Sequence, residues 1–77
     1  MEIKEFVKKF AEQFDETDAS VFTPTTEFRS IDEWSSIIAL SIISMVDEEF
    51  GIALKADDMK KATTVQELFE IVKEKVA

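Results

Sequence analysis

The sequence contains no cysteine and no histidine among its 77 residues. Without these side chains, disulfides, thiolate nucleophiles, zinc sites of the usual ligand types and a serine–histidine pair are all excluded. Any catalysis would have to rest on carboxylates, lysines or hydroxyl groups. An independent enzyme is therefore disfavoured, and the sequence predicts no catalytic residue and no metal ligand.

Basic residues are scarce: there are 9 Lys and Arg against 17 Asp and Glu, which gives a formal net charge of −8. Such a chain repels nucleic-acid phosphates and anionic lipid headgroups, and it favours partners that present Lys or Arg patches. The first residues, MEIKEFVKKFAEQF, contain no continuous apolar run, so neither a signal peptide nor a membrane span is predicted. We expect a cytoplasmic monomer that binds neither nucleic acid nor membrane.

The length allows one domain, residues 1–77, close to the size at which a hydrophobic core only just outweighs chain entropy. Hydrophobic residues make up 45% of the chain, including seven Phe and one Trp, which is too much for a disordered acidic tail. The domain should therefore fold around a compact aromatic core without help from a metal or a disulfide.

Two long segments carry apolar residues at helical spacing. The first predicts a helix over roughly residues 2–15, and the second predicts a helix from Ser36 to Phe50. Gly51, the only glycine, should end the second helix in the left-handed conformation. This second helix has too many apolar residues for one face, so it must be buried on most sides or offer apolar surface to a partner.

Shorter signals complete the predicted fold. Residues 16–33 contain the only proline and form a long connection that some of their apolar side chains should pin to the helices. A short helix is expected over Ala56–Lys61, and Thr63 with Gln66 matches a capping box that opens the last helix. The fold class is therefore all-α: a bundle of three main helices and one short helix, with a long first loop. The predicted core residues are Phe6, Val7, Phe10, Phe14, Leu40, Ile43, Leu68, Phe69 and Val72.

Taken alone, Ser35 and Ser36 are capping residues for the second helix. Their surroundings are more specific: Phe28, Ile31 and Trp34 precede them, an aliphatic residue follows, the helix closes in EEFG, and ATTVQEL comes later. From Thr26 onward, this pattern resembles the acyl carrier protein family, and the WSSI stretch is similar to its stand-alone members. In that family a serine in an Asp-Ser-Leu or Asp-Ser-Ile motif lies about four helical turns before a Phe-Gly end.

The resemblance assigns the modified serine to Ser36, with Ile37 as the aliphatic residue after it. It implies a 4'-phosphopantetheine arm attached there by a phosphopantetheinyl transferase, with acyl or aminoacyl groups carried on the thiol. Because Ser35 replaces the usual Asp, modification could be slower, and the nearby Asp32 and Glu33 offer a partial substitute.

The resemblance also implies partner docking by the second helix. Ile37, Asp47, Glu48 and Glu49, with Asp32 and Glu33 near the serines, should meet basic patches on the transferase and on acyl-loading and acyl-transferring enzymes. Specialised or polyketide biosynthesis is slightly favoured over fatty acid biosynthesis, and neither the cargo nor the pathway follows from the sequence. The alternative is a small helical interaction module that keeps the carrier fold, has no prosthetic group and uses both serines only as caps.

Overall fold

The computed structural model describes residues 2–76, which form four α-helices. They are α1 (Ile3–Ala11), α2 (Ser36–Phe50), α3 (Ala56–Lys61) and α4 (Val65–Val76). Two short 3₁₀ turns, Ala19–Val21 and Phe28–Ser30, lie in the long loop between α1 and α2. The described residues contain no strand, only an isolated bridge between Glu27 and Thr64. The all-α prediction, with three main helices, one short helix and a long first loop, is confirmed.

Helix α1 is shorter than its apolar pattern predicted, because it ends at Ala11 and does not reach residue 15. After it, the backbone N–H groups of Gln13 and Phe14 bind the carbonyls three residues earlier, in a tighter turn. This turn places the Phe14 ring against Phe22, with 4.8 Å between centroids. Phe14 thus stays in the core although it lies outside the helix.

The long loop is pinned by the buried rings of Phe22 and Phe28. It also supplies hydrogen-bond acceptors to α4: the carbonyls of Pro24 and Thr26 accept from the N–H groups of Gln66 and Val65. Those N–H groups lie in the first turn of a helix, where the helix itself offers no partner. The middle of the loop is therefore fixed to the core and to the start of α4.

The core is aromatic, as predicted, and most of the predicted core residues lie in it. The buried ones are Phe6, Phe10, Phe14, Leu68, Phe69 and Val72, while Val7 and Ile43 are partly buried. The prediction for Leu40 was wrong, because 63% of this residue is exposed. Helix α2 turns Ile42, Met45 and Val46 inward, whereas Leu40 lines surface grooves on either side of α2.

The ends of α2 and α4 test two further predictions. Gly51 has φ 68° and donates its N–H to the Asp47 carbonyl, so the predicted left-handed end of α2 is confirmed. The capping box of α4 lies one residue later than predicted. Thr64 Oγ1 accepts from the Glu67 N–H at 3.2 Å, and Glu67 Oε1 accepts from the N–H groups of Thr64 and Thr63 at 3.0 and 2.7 Å.

The short helix α3 is held to its neighbours by one buried carboxylate. Asp58 Oδ2 accepts from the Lys55 N–H at 3.0 Å and forms an ion pair with Lys75 Nζ of α4 at 3.3 Å. Met59, the next residue, is buried in the core. These contacts hold α3 against α4 and the core.

Candidate functional site

The two serines at the start of α2 have different roles in the fold. Ser35 has an extended backbone and is the N-cap, because its Oγ accepts from the Ile38 N–H at 3.3 Å. Ser36 is the first residue of the helix and is exposed. Its side chain takes part in none of the hydrogen bonds found within residues 2–76. Of the two hydroxyls, only that of Ser36 is therefore without a role in capping α2.

The electrostatic surroundings of Ser36 favour an anion. The first turn of a helix presents free N–H groups and a partial positive charge. The first turn of α2 contains no acidic residue, and α2 has no charged residue before Asp47. A negatively charged group attached to Ser36 would therefore meet no repelling side chain from its own helix.

Trp34 fixes the direction in which the chain enters α2. Its ring centroid lies 5.0 Å from that of Phe28 and 6.4 Å from that of Phe14. The backbone N–H of Trp34 donates to the Ile31 carbonyl at 2.9 Å. The rings are themselves part of the core or packed against it. Because these contacts hold Trp34 against the core two residues before Ser36, the fold sets where α2 begins.

Glu33 has a structural role. Its carboxylate accepts from the N–H groups of Asp15 and Glu16 at 2.8 and 3.0 Å and from Thr17 Oγ1 at 2.7 Å. Partial burial opposes the charged form, yet these hydrogen bonds outweigh it and lower the pKa of Glu33. Both carboxylate oxygens thus tie residues 15–17, in the loop after α1, to the segment just before α2. Docking by Glu33 stays a prediction, whereas Asp32 is exposed.

The acidic end of α2 is exposed at all three of its positions, Asp47, Glu48 and Glu49. Glu49 Oε1 forms an ion pair with Lys9 Nζ of α1 at 3.2 Å. The hydrogen bond that Lys9 donates to Glu49, together with the negative charge of Glu49, raises the pKa of Lys9. No ion pair of Asp47 or Glu48 is found within residues 2–76, so these two are the carboxylates available to a partner.

An apolar surface lies between the acidic end and the serines. Ile37 is 73% exposed and Leu40 is 63% exposed. Both line a surface groove of about 380 Å³ between α1 and α2, together with Ser41, Ser44 and Glu48. Glu48 lies about three helical turns after Ile37, so these residues form one stripe along α2. The stripe ends in negative charge on one side and lies next to Ser36 on the other.

A second groove, of about 350 Å³, opens beside Ser36 between α2 and α3. Its residues are Arg29, Trp34, Ser36, Ala39, Leu40, Ile43, Ala56, Met59 and Lys60. The sequence pattern gave no sign of this groove, because it depends on how α3 packs beside α2. The nearest sequence signal was the excess of apolar residues in α2, part of which forms one wall.

Two further properties bear on the class of site. Within residues 2–76, no group of three or more His, Cys, Asp or Glu side chains is arranged to hold a metal ion. None of the described helices is both long enough and apolar enough to cross a membrane.

Comparison with known proteins identifies the family. The family model described as the phosphopantetheine attachment site matches residues 4–72, which include all of α2 and α3. No match was found among the curated proteins or the solved structures. The match spans most of the chain and agrees with the helical fold and with the exposed hydroxyl at the start of α2. The chain belongs to the phosphopantetheine attachment site family, whose members carry a covalently attached 4'-phosphopantetheine.

Proposed function

We propose that the protein carries acyl or aminoacyl groups as thioesters on a 4'-phosphopantetheine arm joined to Ser36, and that it delivers them to biosynthetic enzymes. A general carrier role follows from membership of the family, and such domains are generally not catalytic themselves. They generally interact with a phosphopantetheinyl transferase and with biosynthetic enzymes. The choice of Ser36 and of this cargo class is our proposal.

One observation carries the choice of serine. Ser35 Oγ is used by the N-cap hydrogen bond to Ile38, whereas Ser36 is exposed one residue later and free of such a bond. A group attached to Ser35 would sit on the oxygen that caps α2. A group attached to Ser36 leaves the cap intact and lies at the positive end of the helix.

The chain's own residues fit the attached group. The arm supplies the thiol that a chain without cysteine lacks. Ser36 provides the accepting oxygen, and no histidine is present to activate it, so the transferase must supply the base and the metal ion. The adjacent groove offers an apolar wall from Ala39 and Ile43.

Docking is proposed to use the stripe along α2. Asp47 and Glu48 would attract a basic patch and raise the encounter rate, whereas Ile37 and Leu40 would give the bound complex its apolar contact. The proposal treats the protein as a cytoplasmic monomer and leaves the choice among fatty acid, polyketide and other specialised pathways open.

The test is a loading reaction with coenzyme A, magnesium and a broad-specificity phosphopantetheinyl transferase. The intact mass of the wild-type protein should increase by one arm, and Ser36→Ala should show no increase. Ser35→Ala, the matched control, should still be loaded. Loading of Ser36→Ala would overturn the assignment.

The second candidate function is a carrier-like interaction module without a prosthetic group. The observation that favours it is the large exposed fraction of Ile37 and Leu40, which a partner could cover whether or not an arm is present. It would replace the carrier proposal if neither the wild-type protein nor Ser35→Asp were loaded by any transferase tried.

A further inference from the structure

The groove beside Ser36 has a charge opposite to that of the whole molecule. Two of its lining residues, Arg29 and Lys60, are cationic, and none is acidic. In the whole chain, acidic residues outnumber basic ones by 17 to 9. Cations have therefore been placed around Ser36 against the overall composition.

The two cations come from different elements and share the groove with Ser36. Arg29 lies in the 3₁₀ turn Phe28–Ser30, and Lys60 lies in α3. Within residues 2–76 the ion pairs found are Lys9 with Glu49 and Lys75 with Asp58, so neither groove cation is paired.

The nearest competitor for Arg29 is Glu67. Hydrogen bonds from the N–H groups of Thr63 and Thr64 lower the pKa of Glu67, and the charge of Arg29 adds a smaller effect in the same direction. Glu67 Oε1 is already used by those two N–H groups at the start of α4. Arg29 is thus close to a carboxylate without forming an ion pair with it.

We propose that Arg29 and Lys60 bind the phosphodiester of the arm and thereby lay the arm along the groove, past Trp34. The inference rests on the proposed attachment at Ser36. Arg29 and Lys60 are positioning residues, since they act on the arm and take no part in forming or breaking its bonds.

The chemistry of the groove supports this role. A phosphodiester keeps one negative charge at neutral pH, and guanidinium and ammonium groups are the side chains that bind phosphate most strongly. Beyond the cations, the apolar side chains of Ile43 and Met59 line the groove. Because Arg29 and Lys60 are exposed, added salt should weaken their hold.

The composition of the chain provides a clean probe. Trp34 is the only tryptophan and lines the groove, and a chain without cysteine has no thiol other than that of the arm. Wild-type protein is loaded, the loading is checked by mass, and the thiol is labelled with an uncharged maleimide nitroxide. Quenching of Trp34 fluorescence then reports how often the arm lies in the groove.

The comparison uses Arg29→Gln with Lys60→Gln, and Lys61→Gln as the matched control, because Lys61 is exposed on the same helix and does not line the groove. In the labelled wild type, quenching should be strong at low salt and should fall by roughly half at about 1 M salt, where the Debye length is about 3 Å. The double variant should show the lower value at every salt concentration, and Lys61→Gln should behave as the wild type does. Circular dichroism checks that all variants remain folded.

The outcomes separate this inference from the proposed function. If the wild type is not loaded, both fail. If loaded wild type and loaded double variant show equal quenching, the positioning role is wrong while attachment stands. The experiment is repeated with a nitroxide that bears a carboxylate. If Arg29→Gln with Lys60→Gln lowers the quenching of Trp34 only with this anionic label, the two residues bind anionic cargo, and the phosphodiester role is wrong.

Discussion

The two adjacent serines at the start of α2 have identical side chains but different roles, because only the Ser35 side chain is hydrogen-bonded to the helix backbone. Ser35 Oγ caps the helix, and Ser36 is exposed one residue later. An arm on Ser35 would be attached to the oxygen that accepts from the Ile38 N–H, whereas an arm on Ser36 would leave that hydrogen bond untouched. The free hydroxyl and the structural hydroxyl are thus distinct in what they can do and in what their loss costs.

Removing each serine should therefore affect stability differently. Ser35→Ala should lower the free energy of unfolding by about 1 kcal/mol, the usual cost of losing an N-cap. Ser36→Ala removes no cap and should change it by less than about 0.5 kcal/mol. Urea unfolding followed by circular dichroism measures both. A larger loss for Ser36→Ala than for Ser35→Ala would mean that the capping assignment is reversed.

The variant Ser35→Asp distinguishes the effect of residue 35 on helix stability from its effect on recognition of Ser36 by the transferase. Asp is as good an N-cap as Ser, so stability should be unchanged within about 0.5 kcal/mol. The resemblance to acyl carrier proteins assigns recognition by the transferase to a carboxylate at this position, so loading of Ser35→Asp should be faster. Initial rates from intact mass at several times give the comparison. Equal rates would show that Asp32 or another group already fills that role.

How far the sequence predicts the site depends on whether each feature is local. The resemblance to acyl carrier proteins assigned Ser36 by aligning their Phe-Gly helix end with Phe50 and Gly51; the bounds of α2 and the left-handed Gly51 are as predicted, and the choice of Ser36 stays a prediction. Glu33 was predicted to dock, yet its carboxylate is bonded to residues 15–17, which no local pattern reveals. The groove cations were missed for the same reason.

The helices show the same division between local and tertiary causes. The bounds of α2 and α3 agree with the predicted ones, because a glycine, a serine pair and the order of charges mark them. Helix α1 is shorter than its pattern, since a tight turn keeps Phe14 in the core without a helix. The N-cap of α4 is Thr64, whereas the sequence pattern predicts Thr63. Each threonine is followed three residues later by Gln66 or Glu67, and the structure shows that Glu67 forms the capping box with Thr64.

Helix α4 should be essential to the core. Phe69 is 7% exposed, and its ring lies 5.3 Å from that of Phe6 of α1. Phe69→Ala should lower the free energy of unfolding by about 3 to 5 kcal/mol, a large part of the 5 to 15 kcal/mol typical of a domain. Val76→Ala, at a position 59% exposed on the same helix, is the control and should have little effect. Similar melting temperatures for both variants would mean that α4 is peripheral.

The contact between α3 and α4 should respond to pH. The hydrogen bond from the Lys55 N–H and the ion pair with Lys75 lower the pKa of Asp58 below its ordinary value of 3.8, despite partial burial. Its carboxylate therefore stabilises the fold above that value, and the contribution disappears as pH falls through the lowered pKa.

Asp58→Asn tests this contact. The variant should lose about 1 to 3 kcal/mol at pH 7, as expected for a hydrogen bond to a charged group. The difference from the wild type should shrink as pH falls below about 3.8, where the carboxyl of the unfolded chain is protonated. Urea unfolding across pH measures it, and a difference that does not vary with pH would contradict the role of the charge.

As a whole, the molecule combines a strong negative charge with an uncharged first part of α2. Asp47 and Glu48, two exposed carboxylates for which no ion pair is found within residues 2–76, lie at the far end of that helix from Ser36. The acidic end of α2 would thus attract a basic partner over a distance, and the uncharged first part of α2 would make the close contact. Surface charges act mainly on encounter rates, whereas buried apolar contacts act mainly on dissociation.

Charge reversal at Asp47 and Glu48 should therefore slow association with a phosphopantetheinyl transferase, and the difference from the wild type should shrink in high salt. Ile37→Ala should mainly speed dissociation. Glu49 is left unchanged because its pair with Lys9 joins α2 to α1. Stopped-flow or surface plasmon resonance kinetics at two salt concentrations would show both effects. Unchanged kinetics in all variants would mean that the transferase docks elsewhere.

The most direct test of the carrier account locates the arm on the wild-type chain. After loading, the peptide that contains both serines is fragmented in a mass spectrometer, so that the bond between Ser35 and Ser36 is broken. The account predicts that the added mass lies on the fragment that begins at Ser36, with Ser35 unmodified. An arm found on Ser35, or a wild-type protein that gains no mass while a known carrier is loaded in the same reaction, would contradict it.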